Sequence, residues 1–169
     1  DGDGAAAGAG GEEAWGRVAE VGAALKLYRP TIMLGVPAVW RKIKDKITGK
    51  LEAATGLKKC LVGWALSAKK PGMKRWLADL LVFSKIRKEL GGNLRIMLSG
   101  GAPISPDVIQ FFELIGLELL QGYGLTETSG GVTAERPTGT PGFDGKCRRV
   151  GSVGQVVDGT TVKLVDGEI

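Results

Sequence analysis

The sequence predicts an α/β fold built from parallel-sheet βαβ units, with an extra helical segment. Two matching stretches carry that prediction. An apolar run, Leu94-Arg95-Ile96-Met97-Leu98, opens directly into a glycine loop, Ser99-Gly100-Gly101-Ala102-Pro103. Further on, Leu119-Leu120 opens into a second one, Gln121-Gly122-Tyr123-Gly124-Leu125-Thr126-Glu127-Thr128. Between them lies a helix marked at both ends. Ser105 is its cap, Pro106 takes the first helical position and Asp107 puts an acid in the first turn. Val108, Ile109, Phe111, Phe112, Leu114 and Ile115 follow with helical spacing, and Gly116 closes the segment. A strand–helix–strand crossover makes its two strands parallel, so both glycine loops leave the same carboxyl edge of the sheet. Open α/β sheets bind ligands at that edge.

The remaining elements are read in chain order. Residues 1–16 form a flexible Gly/Ala/acid segment without periodicity, which matches neither a phosphate loop nor a calcium loop. A short helix follows to about Leu27, then a strand from Thr31 to Val36 and a helix beginning at Pro37. Val36, Val39, Trp40, Ile43 and Ile47 share one face of that helix. Residues 51–92 are expected to be helical throughout, with amphipathic stretches at Leu57–Leu66 and Trp76–Leu90. Beyond the second glycine loop, short strands are expected near 152–157 and 161–166, joined by an Asp158-Gly159 turn. Trp40, Trp64 and Trp76 lie on apolar stripes and are expected in the core. Cys60 shares a stripe with Leu57, Leu61 and Trp64, and is expected to be a buried free thiol.

Composition excludes several chemistries. The chain has 169 residues and no histidine, so histidine triads and histidine-containing zinc sites cannot be built from it. Its two cysteines, Cys60 and Cys147, have no metal-ligand spacing and suit a reducing intracellular compartment. No apolar run approaches the roughly twenty residues of a membrane span. The net charge of +5 gathers in the helical zone, from Arg41 to Lys88. That charge reads as a solvated helix face, an attraction to an anionic membrane surface, or an attraction to the phosphates of a ligand. Nucleic acid is not expected as a partner, because no recognition module accompanies the basic residues.

The second loop carries an economical kit for a nucleotide. Gly122 and Gly124 let the backbone approach a ligand closely, Tyr123 offers a stacking face, and the threonine hydroxyls can bond phosphate oxygens. Glu127 is a hard oxygen ligand suited to Mg²⁺. Taken alone, a loop of this composition serves equally as a tight turn. Two such loops at one sheet edge point to a nucleotide.

Here the residues resemble a known family. The two loops are similar to core motifs of the adenylate-forming (AMP-binding) enzymes, which include acyl-CoA synthetases, peptide-synthetase adenylation domains and luciferases. Arg29-Pro30-Thr31-Ile32-Met33-Leu34-Gly35-Val36-Pro37-Ala38-Val39-Trp40 and Leu81-Val82-Phe83-Ser84-Lys85-Ile86-Arg87-Lys88-Glu89-Leu90-Gly91-Gly92 resemble the long-chain fatty acyl-CoA synthetase branch. The likeness covers about residues 25–169. It implies the large N-terminal domain of such an enzyme, with residues 17–169 a partial AMP-binding domain incomplete at both ends. The chain begins at Asp1 and stops after an Asp166-Gly167 hairpin signal, and reads as an internal fragment of a longer enzyme.

The resemblance also implies roles. The backbone of Gly100, Gly101, Ala102 and Pro103 lines the adenine pocket, and Tyr123 stacks on the base, flanked by Gly122, Gly124 and Leu125. Gln121 stands where many members carry an asparagine that bonds the adenine amino group, so that contact either persists or passes to the backbone. Thr126 holds the α-phosphate and Glu127 coordinates Mg²⁺; these two are the candidate catalytic residues. ATP and CoA are the implied co-substrates of a fatty acid, and the full-length enzyme is expected in the cytoplasm or peripheral on an intracellular membrane. The family's triphosphate loop with its lysine, its ribose-binding aspartate and its C-terminal lysine have no match in these residues. The alternatives are another adenylate-forming enzyme or a nucleotide-binding module without catalysis.

Overall fold

The computed structural model describes residues 21–53, 55–67, 72–138, 140 and 151–166. The expected flexible segment at 1–16 lies outside them. Helix α1 occupies 21–28 and is followed by strand β1, Ile32–Gly35. Helix α2, Pro37–Glu52, begins at proline as expected, with Val36 extended before it. Helix α3 spans Leu57–Leu66. Helix α4, Met73–Ala78, runs without a break through a π-helical segment, Asp79–Phe83, into α5, Ser84–Glu89. Strand β2 is Ile96–Ser99, α6 is Pro106–Leu114, β3 is Glu118–Leu125, β4 is Gly130–Ala134 and β5 is Gln155–Val156.

These strands form one sheet in the order β1-β2-β3-β4-β5. The first three are parallel, as the crossover argument requires, and the last three are antiparallel. Gly35, Ser99 and Gln121 fall in one row across β1, β2 and β3. Side chains alternate across a strand, so Met97 and Leu119 face the helices and are fully buried. There they join Trp40, Phe83, Val108, Phe112 and Ile115 in the core. Phe112 meets Trp40 edge-on, with ring centroids 6.1 Å apart, which holds α6 against α2. The other face of β1 is bare, with Ile32 59% and Leu34 71% exposed.

Trp40 also fastens α2 to the strand before it. Its Nε1 donates to the Gly35 carbonyl at 3.2 Å, and its ring fills the space beside Gly35, 3.0 Å from where a Cβ would stand. Lys44 pairs with Asp107, tying α2 to the first turn of α6.

Four expectations need correction. The second glycine motif is not a loop from Gln121 onward: β3 runs through it to Leu125 and pairs with an unforeseen strand, β4. Non-local pairing decides strands more than residue preference does, so glycines in a sheet are easily misread. The expected strand at 161–166 is an isolated bridge at Val165, in a stretch whose Leu164 and Val165 are exposed. Its Asp158-Gly159 turn does form. Trp76 is 61% exposed, because the buried face of its helix runs through Ala78, Val82, Phe83 and Ile86. Cys60 is exposed as well, while Ala65 and the half-buried Leu61 and Trp64 face the core.

The π-helical segment carries a polar clamp. Arg87 donates to both carboxylate oxygens of Asp79, at 2.6 and 2.8 Å, and to the Ile115 carbonyl at the end of α6. This bidentate bond holds the Asp79 carboxyl below its ordinary value of 3.8, against the opposing effect of burial. A depressed carboxyl stabilises the fold above its unfolded pKa and loses that contribution as pH falls through the folded one. Asp79→Asn should therefore lower stability by about 1–2 kcal/mol at neutral pH, since the pair is partly solvent-exposed. It should also flatten the loss of stability that wild type shows below about pH 4. Urea midpoints at pH 6 and pH 3 measure both effects.

Candidate functional site

The parallel strands deliver both glycine segments to one edge, in the way the spacing predicted. Past the Gly35–Ser99–Gln121 row, Gly100 donates its N–H to the Gly35 carbonyl at 3.3 Å, which turns the first loop over the end of β1. Gly101 then takes a left-handed φ of +80°, a conformation that strains any residue with a Cβ. A Cβ on Gly100 would lie 3.8 Å from the Gly122 carbonyl, so the first loop runs beside β3 at the start of the second motif. Ala102 and Pro103 are exposed.

Beyond Gln121 the second motif becomes a two-stranded ribbon. Gly122 pairs with Ala134 and Tyr123 with Thr133, and the register then shifts at a bulge between Tyr123 and Gly124. A Cβ on Gly124 would stand 2.2 Å from the Gly130 carbonyl, so only glycine allows this approach of β4. Tyr123 is half-buried beside the bulge. Leu125 is exposed, and the chain reverses through 126–129. Thr128 holds that turn: its Oγ1 accepts the Leu125 N–H at 2.9 Å and lies 2.8 Å from the Gly130 carbonyl.

Thr126 and Glu127 stand at the exposed tip of this ribbon, and neither side chain makes a hydrogen bond or ion pair among the described residues. Sequence reasoning placed them close to the sheet edge. The structure carries them out along β3, with Leu125 roughly 13 Å along the strand from Gln121. No cluster of three or more metal-ligating side chains occurs among the described residues. One free carboxylate still fits Mg²⁺, which keeps several waters and is often held by one or two carboxylates together with substrate phosphates.

Gln121 is buried at the strand end. It is 6% exposed, and its Nε2 donates to the Ser152 carbonyl at 2.9 Å, which ties β3 to the segment before β5. Its backbone N–H donates to Glu135 Oε2 at 2.8 Å, and its carbonyl accepts the Glu135 N–H at the same distance. Sequence reading missed Glu135, a buried carboxylate serving the strand end, and Thr133, whose Oγ1 donates to the Val153 carbonyl. The alternation Val132-Thr133-Ala134-Glu135 was the available strand signal. Ser99, also buried, has a hydroxyl without a hydrogen-bond partner among the described residues.

Removing the Glu135 side chain leaves the buried Gln121 N–H without its acceptor. Glu135→Ala should cost about 1–3 kcal/mol of stability, and Glu135→Gln, which keeps an acceptor oxygen, should cost less. Denaturant titration ranks the two variants, and faster amide exchange at Gln121 in the alanine variant would locate the lost bond.

Comparison with known proteins agrees with this architecture. The family profile described as AMP-binding enzyme matches residues 13–168. Long-chain-fatty-acid–CoA ligase 1 of Schizosaccharomyces pombe is 38% identical over 151 residues, covering 85% of this chain and 21% of that protein. Long chain acyl-CoA synthetase 8 of Arabidopsis thaliana is 40% identical over 116 residues, covering 62% of this chain and 16% of that protein. Among solved structures, the anthranilate CoA ligase AuaEII in complex with anthranoyl-AMP superposes with a TM-score of 0.52 at 19% identity. That match covers 88% of this chain and 20% of the ligase, and establishes a shared fold. The chain spans about a fifth of the length of these relatives.

Proposed function

We propose that this chain, which belongs to the AMP-binding enzyme family, contributes the adenylate-binding edge of an ATP-dependent long-chain fatty acid–CoA ligase. The observation that carries the reading is the delivery of two glycine segments to one edge of a parallel sheet, with a threonine and a carboxylate left free at the tip of the second. The similarity to long-chain acyl-CoA ligases supports the fatty acid as substrate.

The reaction has two steps. The fatty acid carboxylate attacks the α-phosphate of ATP, forming acyl-adenylate and releasing pyrophosphate. The CoA thiol then attacks the acyl carbonyl and displaces AMP, which leaves the thioester. In this reading the exposed backbone of the Gly100–Pro103 loop lines one side of the adenine and the ring of Tyr123 stacks on it. Gln121 works from beneath, since its side chain and main chain hold the strand end that carries the tyrosine. The Thr126 hydroxyl donates to the α-phosphate as charge builds there, and Glu127 offers its carboxylate to Mg²⁺. When bound, Mg²⁺ neutralises phosphate charge and lowers the cost of the attack. The exposed thiol of Cys60 suits a reducing compartment, cytoplasmic or at the surface of an internal membrane. No helix among the described residues is long and apolar enough to cross a membrane.

Glu127→Gln should leave folding intact, because the exposed side chain makes no hydrogen bond or ion pair among the described residues, and should reduce adenylation by about tenfold or more, at least ~1.4 kcal/mol of transition-state stabilisation. Pyrophosphate exchange in the full-length enzyme is the measurement, and near-normal exchange would remove Glu127 from the metal site. Tyr123→Ala should weaken ATP binding by roughly 1–3 kcal/mol, by analogy with base stacking on aromatic side chains, and Tyr123→Phe should be mild. Calorimetric titration separates the cases, and equal small losses in both would place the ring away from the base.

A further inference from the structure

A concavity lies at the far end of the helical layer from the carboxyl edge. Helix α2 starts beside the carboxyl edge and runs away from it, so its last two turns stand roughly 14–21 Å beyond Pro37. There it meets α1 and α5 around a cavity of about 610 Å³, within the size range of small-molecule sites. The floor is apolar, formed by the buried side chains of Leu25, Ile43, Ile86 and Leu90. The rim is cationic, formed by Lys26, Lys46, Lys50 and Lys85. Glu89 is the single acid on it among the described residues and bonds two of the lysines, Lys26 at 2.9 Å and Lys50 at 3.3 Å. Lys46 and Lys85 make no ion pair among the described residues, so the rim keeps a surplus of positive charge.

We propose that this cavity binds one molecule of a single-chain anionic amphiphile, its alkyl chain on the apolar floor and its anionic head among the rim lysines. Charge complementarity selects the occupant. A neutral chain would leave the lysines unused, and a small anion would leave the apolar lining unused, where each alkyl methylene of a ligand taken out of water is worth about 0.8 kcal/mol. A flat membrane surface could meet the rim but not fill a cavity beneath it. The site goes beyond the ligase reading and does not rest on it.

The test is a hydrogen-exchange footprint of the full-length polypeptide titrated with laurate below its micelle concentration. Dodecyl maltoside and butyrate serve as neutral-head and short-chain controls, and anionic phospholipid vesicles as a surface control. Laurate should slow exchange in residues 43–51 and 85–90 with a saturable one-to-one dependence. Lys46→Glu combined with Lys85→Glu should shift that saturation to about tenfold higher laurate or more, a loss of ~1.4 kcal/mol. Pyrophosphate exchange should be retained in the same variant, so failure of this site and failure of the ligase reading are told apart. The proposal is overturned if laurate gives no protection there, if dodecyl maltoside protects equally, or if the double variant titrates like wild type. Protection by vesicles without protection by monomeric laurate would overturn it too.

Discussion

Main-chain pairing of three parallel strands governs the whole arrangement, because it places Gly35, Ser99 and Gln121 in one row at the carboxyl edge. Everything proposed for the nucleotide follows from that row. The first glycine loop starts one residue beyond Ser99 and bonds back to Gly35, and the ribbon carrying Tyr123, Thr126 and Glu127 starts one residue beyond Gln121. The row is stabilised from the helical side, where Trp40 bonds the Gly35 carbonyl and packs on Phe112, and where Met97 and Leu119 are sealed from water. A slip of one residue in β2 would turn Met97 outward and move the glycine loop away from Gly122.

Polar groups within this edge divide between support and service. Gln121 bonds Glu135 and Ser152 at the strand end, and the Thr128 hydroxyl holds the turn. The Thr126 hydroxyl and the Glu127 carboxylate make no hydrogen bond or ion pair among the described residues and stand at the exposed tip. That separation makes chemical sense. A group that must hold a strand end cannot also reorganise around a phosphate, whereas a group bonded to nothing internally can meet developing charge without first breaking a contact. The same logic operates in the helical layer, where Arg87 joins the π-helical segment to the end of α6 and fixes the helix that packs on β3.

Local signals made much of this legible. Ser105, Pro106 and Asp107 do begin a helix, Pro37 begins another, and α3 spans Leu57–Leu66 as its spacing predicts. Those features depend on neighbouring residues, on a preset proline φ and on side-chain period, all of which a linear sequence carries. Trp76 and Cys60 were misplaced for a related reason. Period locates an apolar stripe but does not say which part of it meets the core, and the π-helical segment after Ala78 alters the helical period in mid-course.

By itself, the sequence determined the βαβ unit, the common edge for its two glycine motifs, and the family to which they belong. It also named the residues that could meet a nucleotide. Tertiary structure alone decided that Gln121-Gly122-Tyr123-Gly124-Leu125 is strand rather than loop, because β3 takes that form only when β4 supplies its partners. It alone joined Gln121 to Glu135 and Ser152 across 14 and 31 residues, and gathered lysines from three helices around one apolar cavity. The division is physical: turns, caps and periodicity are set within a few residues, whereas pairing, burial and charge clustering depend on which distant segments fold back to meet them.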